Sequence, residues 1–245
     1  MNDTVPPSRA AILLVQLGTP DKPEVLEVRR YLREFLSDRR GVEQSPLIWW
    51  PILYSVVLTR RPKESAEKYR SIWTKAGSPL LVNTKLVAEA LQDELNKRGR
   101  QVEVVWAMRY GNPSMVDALR DLRDRGFSRI VVLPMYPQYS AATSGTVFDV
   151  IAREFLQWRS IPALRFLQSF HDDPGYIAAV AESIRHFWRQ SEAGKPEKLI
   201  FSFHGLPQSC VDQGDPYVKQ CQESAALIAA AGVSLTFEVI SRRDP

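Results

Sequence analysis

Cysteine is scarce in this sequence, since only Cys210 and Cys221 occur in 245 residues. Two cysteines are too few for a disulfide scaffold, and their spacing is not that of a zinc pair. They also cannot supply the four thiolates of an iron–sulfur cluster. A reducing compartment fits this composition best, so we expect a cytoplasmic protein.

Long hydrophobic runs are also missing. The longest apolar stretch, Pro46–Leu58, has about 13 residues, whereas a helix that crosses a membrane needs roughly 20. Residues Met1–Arg9 have no apolar core, so we expect no secretory signal. We expect Pro46–Leu58 to be a core helix. The alternatives are a lip over an apolar ligand and a peripheral contact with a membrane surface.

Charge of one sign is not concentrated anywhere in the chain. Lys and Arg number 32 against 28 Asp and Glu, which gives a net charge of +4. A nucleic-acid-binding protein more often has a concentrated basic stripe, so we expect no nucleic-acid partner. The densest basic cluster, Arg60-Arg61-Pro62-Lys63, is expected to be a solvated helix start. The alternative is an anchor for carboxylates on a ligand, which arginine pairs with in a fork geometry.

Apolar runs alternate with helical patterns along the chain. Six runs are typical of strands: Ala10–Leu17, Val102–Met108, Ile130–Leu133, Ala163–Leu167, Leu199–Phe203 and Leu235–Ile240. Between them, four capping side chains precede a proline, as helix starts often do: Ser78, Asn112, Asp173 and Asp215. This alternation predicts an α/β protein with mainly parallel sheets flanked by helices. A break near Trp158–Pro162 predicts a first unit at 1–161 and a second at 162–245.

Polar loops follow four of the predicted strands. They contain Leu17-Gly18-Thr19-Pro20, Arg109-Tyr110-Gly111-Asn112-Pro113, Tyr136-Pro137-Gln138-Tyr139-Ser140 and His204-Gly205-Leu206-Pro207. In open α/β sheets, ligands bind at the carboxyl edge, where such loops meet. The phosphate-binding glycine motifs and the GxSxG nucleophile motif are absent. Aromatic rings with few polar groups suit a large, flat, apolar ligand. Taken alone, a histidine at a strand end such as His204 is more often a structural hydrogen-bonder than a catalyst.

A resemblance to a known family rests on these loops and on three further segments, which are Arg60–Tyr69, Gly77-Ser78-Pro79-Leu80 and Gly214-Asp215-Pro216-Tyr217. The sequence resembles bacterial-type ferrochelatase, the enzyme of haem biosynthesis that inserts ferrous iron into a porphyrin. The resemblance covers nearly the whole chain. It implies a chelatase-like fold of two similar Rossmann-like units with a porphyrin cleft between them, the second unit being incomplete here.

The resemblance also implies roles for particular residues. His204 would be the catalytic residue and metal ligand, facing the central nitrogens of the porphyrin. The substrate-binding residues would be Leu17, Arg61, Arg109, Tyr110, Tyr139 and Ser140. Imidazole suits this reaction because it titrates near neutral pH and binds ferrous iron. The resemblance leaves open whether His204 acts as base or as ligand.

The expected substrates are a porphyrin, preferably protoporphyrin IX with protohaem as product, and Fe²⁺. No permanently bound cofactor is expected, and the oligomeric state is not predicted.

The tail departs from the family pattern. The family continues beyond Pro245 into an acidic segment with a glutamate opposite the histidine, and this sequence has no such segment. We therefore expect a C-terminally truncated ferrochelatase with weak stability and impaired activity. Two alternatives stay open, which are a non-catalytic porphyrin- or haem-binding module and a chelatase for coproporphyrin or another metal.

Overall fold

The chain divides into two units. The computed structural model describes residues 9–191, 196–233 and 236–241. The first unit comprises Met1–Met135 and Ala141–Leu167, and the second comprises Tyr136–Ser140 and Gln168–Pro245. The boundary that the sequence predicts, after residue 161, stays a prediction.

A four-stranded parallel sheet forms the centre of the first unit. Its strands are β1 (Arg9–Thr19), β2 (Val102–Gly111), β3 (Phe127–Pro134) and β4 (Ala163–Phe166), in the order β2-β1-β3-β4. In the central strand β1, Ile12 pairs with Val104 of β2 and Val131 of β3. The apolar run of β1 is largely buried, as expected for a strand between two neighbours in a covered sheet.

Six helices lie among the described residues of the first unit. They are α1 (Val25–Leu36), α2 (Pro46–Ile52), α3 (Leu58–Ile72), α4 (Pro79–Lys97), α5 (Met115–Asp124) and α6 (Thr146–Phe155). Two π-helical turns, Leu53–Val57 and Ala141–Gly145, precede α3 and α6. Helices α4 and α5 pack against β1 and β2. The predicted α/β class with a parallel sheet flanked by helices is confirmed.

The helix starts follow the expected capping chemistry in part. The hydroxyl of Ser78 caps α4 by accepting from the Leu81 amide, as predicted. The prediction for Asn112 is wrong, because Ser114 caps α5 instead. The Asn112 side chain is engaged with the carboxylate of Asp21.

The stretch Pro46–Leu58 is not the core helix that its composition suggests. Helix α2 has no buried residue, and Leu47 and Ile48 are 88% and 61% exposed. Burial begins only at Leu53, in the π-helical turn, where it packs with Leu36 and Leu58. Trp49 packs against this cluster and donates its ring N–H to the Leu36 carbonyl, whereas Leu47, Ile48 and Trp50 of α2 are exposed.

The second unit has a two-stranded parallel sheet. Its strands are β5 (Lys198–Phe203) and β6 (Thr236–Ser241), and its helices are α7 (Pro174–Gln190), α8 (Gln208–Asp212) and α9 (Tyr217–Ala230). Leu199 and Phe201 of β5 pack against a core from α7 and α9 that includes Ile177, Ala181 and Ile228. Of the predicted strand Leu235–Ile240, residue 235 lies outside the described residues, as do parts of the predicted loop 191–196 and of the tail.

Membrane-spanning helices are not found in the described part of the chain, where no helix is both long and apolar enough.

Gly18, at the end of β1, is held in a conformation that only glycine adopts readily. Its φ is +119°, and a Cβ placed on it would lie 1.8 Å from the carbonyl oxygen of Tyr110. The absence of a side chain therefore allows β1 and β2 to stay paired where they end, with Gly18 opposite Tyr110.

We predict that Gly18→Ala lowers the free energy of unfolding by about 3 kcal/mol or more, because it adds a backbone clash to backbone strain. Gly99→Ala is the matched control, since Gly99 also has positive φ, at +65°, but has open space around its Cβ. We expect the control to cost only about 1 kcal/mol. Urea denaturation of both variants measures the difference, and equal losses would contradict the clash.

Candidate functional site

The predicted site residues of the first unit lie at the carboxyl ends of β1 and β2 and in α3. Leu17 is half-buried near the end of β1, and Arg109 and Tyr110 occupy the same level of β2. Arg61 lies near the start of α3, exposed to solvent, and its side chain forms no hydrogen bond or ion pair with the described residues. A guanidinium in this state is available to a carboxylate on a ligand.

Arg109 and Tyr110 converge on a buried carboxylate, that of Asp38. The Arg109 guanidinium forms an ion pair with Asp38 in which the two side chains are 9% and 6% exposed. The Tyr110 hydroxyl donates to Asp38 at 2.9 Å, and the Thr146 hydroxyl donates to the same oxygen. Arg109 also donates to the Thr146 hydroxyl at 2.7 Å. This network fixes both β2 side chains from inside the first unit.

The ionised form of Asp38 is favoured by these partners. Burial by itself raises the pKa of Asp38. Hydrogen bonds from Thr146 and the Arg40 amide and the charge of Arg109 outweigh burial, so the pKa is lowered below its ordinary value. Tyr110 shows the opposite effect, because burial raises the pKa of its hydroxyl and keeps it a donor.

Two cavities lie at opposite ends of the first sheet. One of about 380 Å³ is at the carboxyl ends of β1 and β2, lined among others by Thr19, Tyr31 and Asn112. A larger one of about 710 Å³ is at the amino ends, lined among others by Ala10 and Val102. None of the predicted site residues lines either cavity, so cavity size does not locate the site.

His204 is exposed and lies just after β5 in the second unit. It directly follows Phe203, the last residue of the strand. Its Nδ1 lies 2.6 Å from the carbonyl oxygen of Gly205. Because a carbonyl can only accept, Nδ1 donates the proton, and the neutral ring then has its lone pair on Nε2. An imidazole in this tautomer can accept a proton or bind a metal ion through Nε2.

The segment 136–140 is also part of the second unit and is tied to α9. The Tyr139 amide donates to the Gln220 side chain at 2.7 Å, and the Ser140 hydroxyl donates to Asp215 at 3.0 Å. Ser140 is buried and Tyr139 half-buried. Both predicted site residues are therefore held by side chains from the start of one helix.

A preformed metal cluster is not visible among the residues whose side chains are described. No three His, Cys, Asp or Glu side chains there are placed to hold a metal ion.

Parallel sheets flanked by helices place the protein in the Rossmann-type class of α/β proteins. A family model described as ferrochelatase matches residues 9–240. The chain belongs to the ferrochelatase family.

Individual relatives agree with the family model. A ferrochelatase of Methylococcus capsulatus is 54% identical over 222 residues, which are 91% of this chain and 66% of that protein. A ferrochelatase of Aromatoleum aromaticum is 50% identical over 225 residues, which are 91% of this chain and 61% of that protein. "Ferrochelatase 2" of Shewanella oneidensis is 48% identical over 221 residues, 90% of this chain and 67% of that protein. The chain thus spans less than two thirds of the length of the first two relatives.

Three side chains that hydrogen-bond to the predicted site residues were not predicted from the sequence. They are Asp38, Asp215 as a partner of Ser140, and Gln220. Asp38 precedes Arg109 by 71 positions, and Gln220 follows Tyr139 by 81. The spacing between neighbouring residues in the sequence does not indicate pairs that are so far apart. Composition gives no signal either, because Asp38 lies beside Ser37 and Arg39 and polar residues also surround Gln220.

We predict that Asp38→Asn lowers the free energy of unfolding by about 3 kcal/mol at pH 7, since it leaves the Arg109 charge buried without its partner. The lowered pKa means that ionised Asp38 stabilises the fold fully above its ordinary pKa of about 3.9, and that this contribution is lost as the pH falls below it. The difference between wild type and variant should therefore shrink as the pH falls below about 4.

Asp124→Asn is the control, because Asp124 forms an exposed ion pair with Arg123. We expect it to change stability by less than about 1 kcal/mol. Chemical denaturation at several pH values measures both variants. A pH-independent loss in Asp38→Asn would contradict the ion-pair account.

Proposed function

We propose that the enzyme to which this sequence belongs inserts Fe²⁺ into protoporphyrin IX to form protohaem. This sequence supplies the porphyrin-binding residues and the reactive histidine. The single observation that carries the proposal is His204, exposed after β5 with Nε2 as the free ring nitrogen, inside the region that the ferrochelatase model matches.

Metal insertion requires two pyrrole protons to leave the ring and a desolvated Fe²⁺ to enter it. In the proposal, Nε2 of His204 accepts a proton from a pyrrole nitrogen or holds the incoming ion. The Gly205 carbonyl favours the required tautomer by accepting from Nδ1. A positioned base of this kind is typically worth about 10²–10⁴ in rate.

The proposal assigns porphyrin binding to Leu17, Arg61, Arg109, Tyr110, Tyr139 and Ser140. The cation assigned to a propionate carboxylate is Arg61, because its guanidinium is exposed and unpaired among the described residues. In the proposal, Arg109 and Tyr110 line the porphyrin site but do not pair with a carboxylate of the porphyrin, because both already bind Asp38. Leu17 contributes apolar surface to the macrocycle.

We predict that His204→Ala lowers the rate of iron insertion about 10²–10⁴-fold while protoporphyrin affinity changes little. Anaerobic assays with enzyme in excess over protoporphyrin IX measure the rate even when turnover is slow, and fluorescence quenching measures affinity. His186→Ala, at an exposed histidine in α7, is the matched control and should retain the wild-type rate.

Three outcomes would redirect the proposal. Porphyrin binding without insertion would favour a non-catalytic binding module. Faster insertion into coproporphyrin, or of another metal, would change the substrate. Equal rates in wild type and His204→Ala would contradict the role of the histidine.

We also propose a cytoplasmic protein that touches a membrane surface peripherally through α2. The support is a helix without buried residues whose apolar side chains are exposed, among them Leu47, Ile48 and Trp50. Exposed Arg60 follows in α3 and would favour anionic headgroups. Apolar side chains beside arginine are typical of helices that lie in a membrane interface.

We predict that the protein cosediments with vesicles containing phosphatidylglycerol and that the double variant Leu47→Ser/Trp50→Ser weakens this binding several-fold. Leu156→Ser is the control, because Leu156 is 87% exposed after α6 and lies outside α2. Binding that is equal in all three proteins, or absent from wild type, would contradict the membrane proposal.

A further inference from the structure

A cavity of about 210 Å³ lies in the first unit between α1 and the π-helical turn that leads into α3. None of the residues assigned to the porphyrin or to iron lines this cavity. We call it the arginine groove, and its lining residues are Leu26, Arg29, Arg30, Arg33, Tyr54 and Leu58. Three cations, one hydroxyl and two apolar side chains therefore face the same space.

Two of the three cations have no counterion from the described part of the chain. Arg30 forms an ion pair with Glu27 at 2.7 Å. Arg29 and Arg33 are exposed, and their side chains form no hydrogen bond or ion pair with the described residues. Residues four apart are neighbours on a helix surface, where like charges repel each other. An anion bound between Arg29 and Arg33 would relieve this repulsion.

Carboxylates are not found among the described residues that line the arginine groove. Three line the adjoining cavity of about 380 Å³, which shares Arg30, Arg33 and Tyr54 with the groove. Each of them already has a donor, since Asp21 accepts from the Asn112 side chain, Glu34 from the Gly111 amide and Glu27 from Arg30. An anion in the groove therefore meets arginines without partners, while these carboxylates are engaged.

Apolar side chains border the arginine groove. Leu26 of α1 is 74% exposed. Tyr54 is exposed as well, and the centroid of its ring lies 6.0 Å from that of Trp50, an exposed residue of α2. Leu58 is buried and packs with Leu36 of the core. Unpaired arginines beside exposed apolar surface suit an amphiphile that joins an anionic headgroup to hydrocarbon chains.

We propose that the arginine groove binds the phosphate of an anionic phospholipid while exposed side chains of α2 enter the same membrane surface. Arg29 and Arg33 pair with the phosphate oxygens, and the Tyr54 hydroxyl donates a hydrogen bond to them. Guanidinium suits this role because its N–H donors match the geometry of phosphate oxygens. The inference rests on the proposed membrane contact and gives the lipid headgroup a defined site.

The double variant Arg29→Gln/Arg33→Gln should bind vesicles containing phosphatidylglycerol about ten- to thirtyfold more weakly, because each arginine at an anionic membrane surface contributes a factor of about five. Cosedimentation over a range of lipid concentrations measures the affinity.

Arg100→Gln/Arg159→Gln is the matched control. It removes the same charge from two exposed arginines of the first unit that also form no side-chain hydrogen bond or ion pair with the described residues. We expect binding within about twofold of wild type, because salt screens charges that lie away from the contact. Equal weakening in the two double variants would show attraction by net charge alone and would overturn the groove.

A soluble lipid tests the headgroup site without a membrane. Dihexanoyl phosphatidylglycerol, kept below the concentration at which it forms micelles, should shift the side-chain ¹H–¹⁵N signals of Arg29 and Arg33. Dihexanoyl phosphatidylcholine should shift them much less, because its choline balances the phosphate charge. Absence of a shift with phosphatidylglycerol would overturn the site. Shifts of equal size with inorganic phosphate at the same concentration would make the occupant a free anion and overturn the lipid.

The variant Leu47→Ser/Trp50→Ser separates this inference from the proposed membrane contact. If that variant weakens vesicle binding but Arg29→Gln/Arg33→Gln behaves like its control, the membrane contact stands and the groove fails. If wild type does not bind vesicles but the soluble lipid shifts both arginine signals, the contact through α2 fails and the headgroup site stands. If neither is seen, both fail.

Discussion

Parallel pairing of strands is the constraint on which the rest of this structure depends. In a parallel sheet every strand delivers its following loop to the same edge, so chemistry distant in sequence can gather there. In the first unit this edge carries Leu17, Arg109 and Tyr110. Close pairing at that edge requires a glycine at position 18, because a side chain there would meet the neighbouring backbone.

Buried polar groups fix the orientation of the side chains at the strand ends. Asp38 gathers Arg109, Tyr110 and Thr146 in the first unit, and burial makes each of these bonds costly to leave unmade. Outside this network, Arg61 and the imidazole of His204 stay exposed.

Much of the fold could be predicted because its signals are local. Apolar runs located all six described strands within about three residues, and serine or aspartate before proline located the starts of α4 and α7. The exposed position of α2 could not be predicted, because an apolar run has the same composition whether it is covered or not. The prediction that Asn112 caps α5 is wrong because the residue that does so, Ser114, lies two positions later.

The site residues that family motifs carry, such as His204 and Ser140, stay predictions, and the side chains that hydrogen-bond to them could not be predicted from the sequence. Gln220 and Asp38 meet their partners only after the chain has folded, and their spacing carries no periodic signal. A motif identifies a residue, but hydrogen bonds between residues far apart in sequence determine the orientation of its side chain.

The central claim is that His204 presents Nε2 as a free lone pair. Long-range ¹H–¹⁵N spectra of the imidazole at pH 8, with and without protoporphyrin IX, test it most directly. The account predicts a neutral ring protonated at Nδ1 whose Nε2 signal moves when the porphyrin binds. A ring protonated at Nε2, or an Nε2 signal unaffected by bound porphyrin, would contradict it.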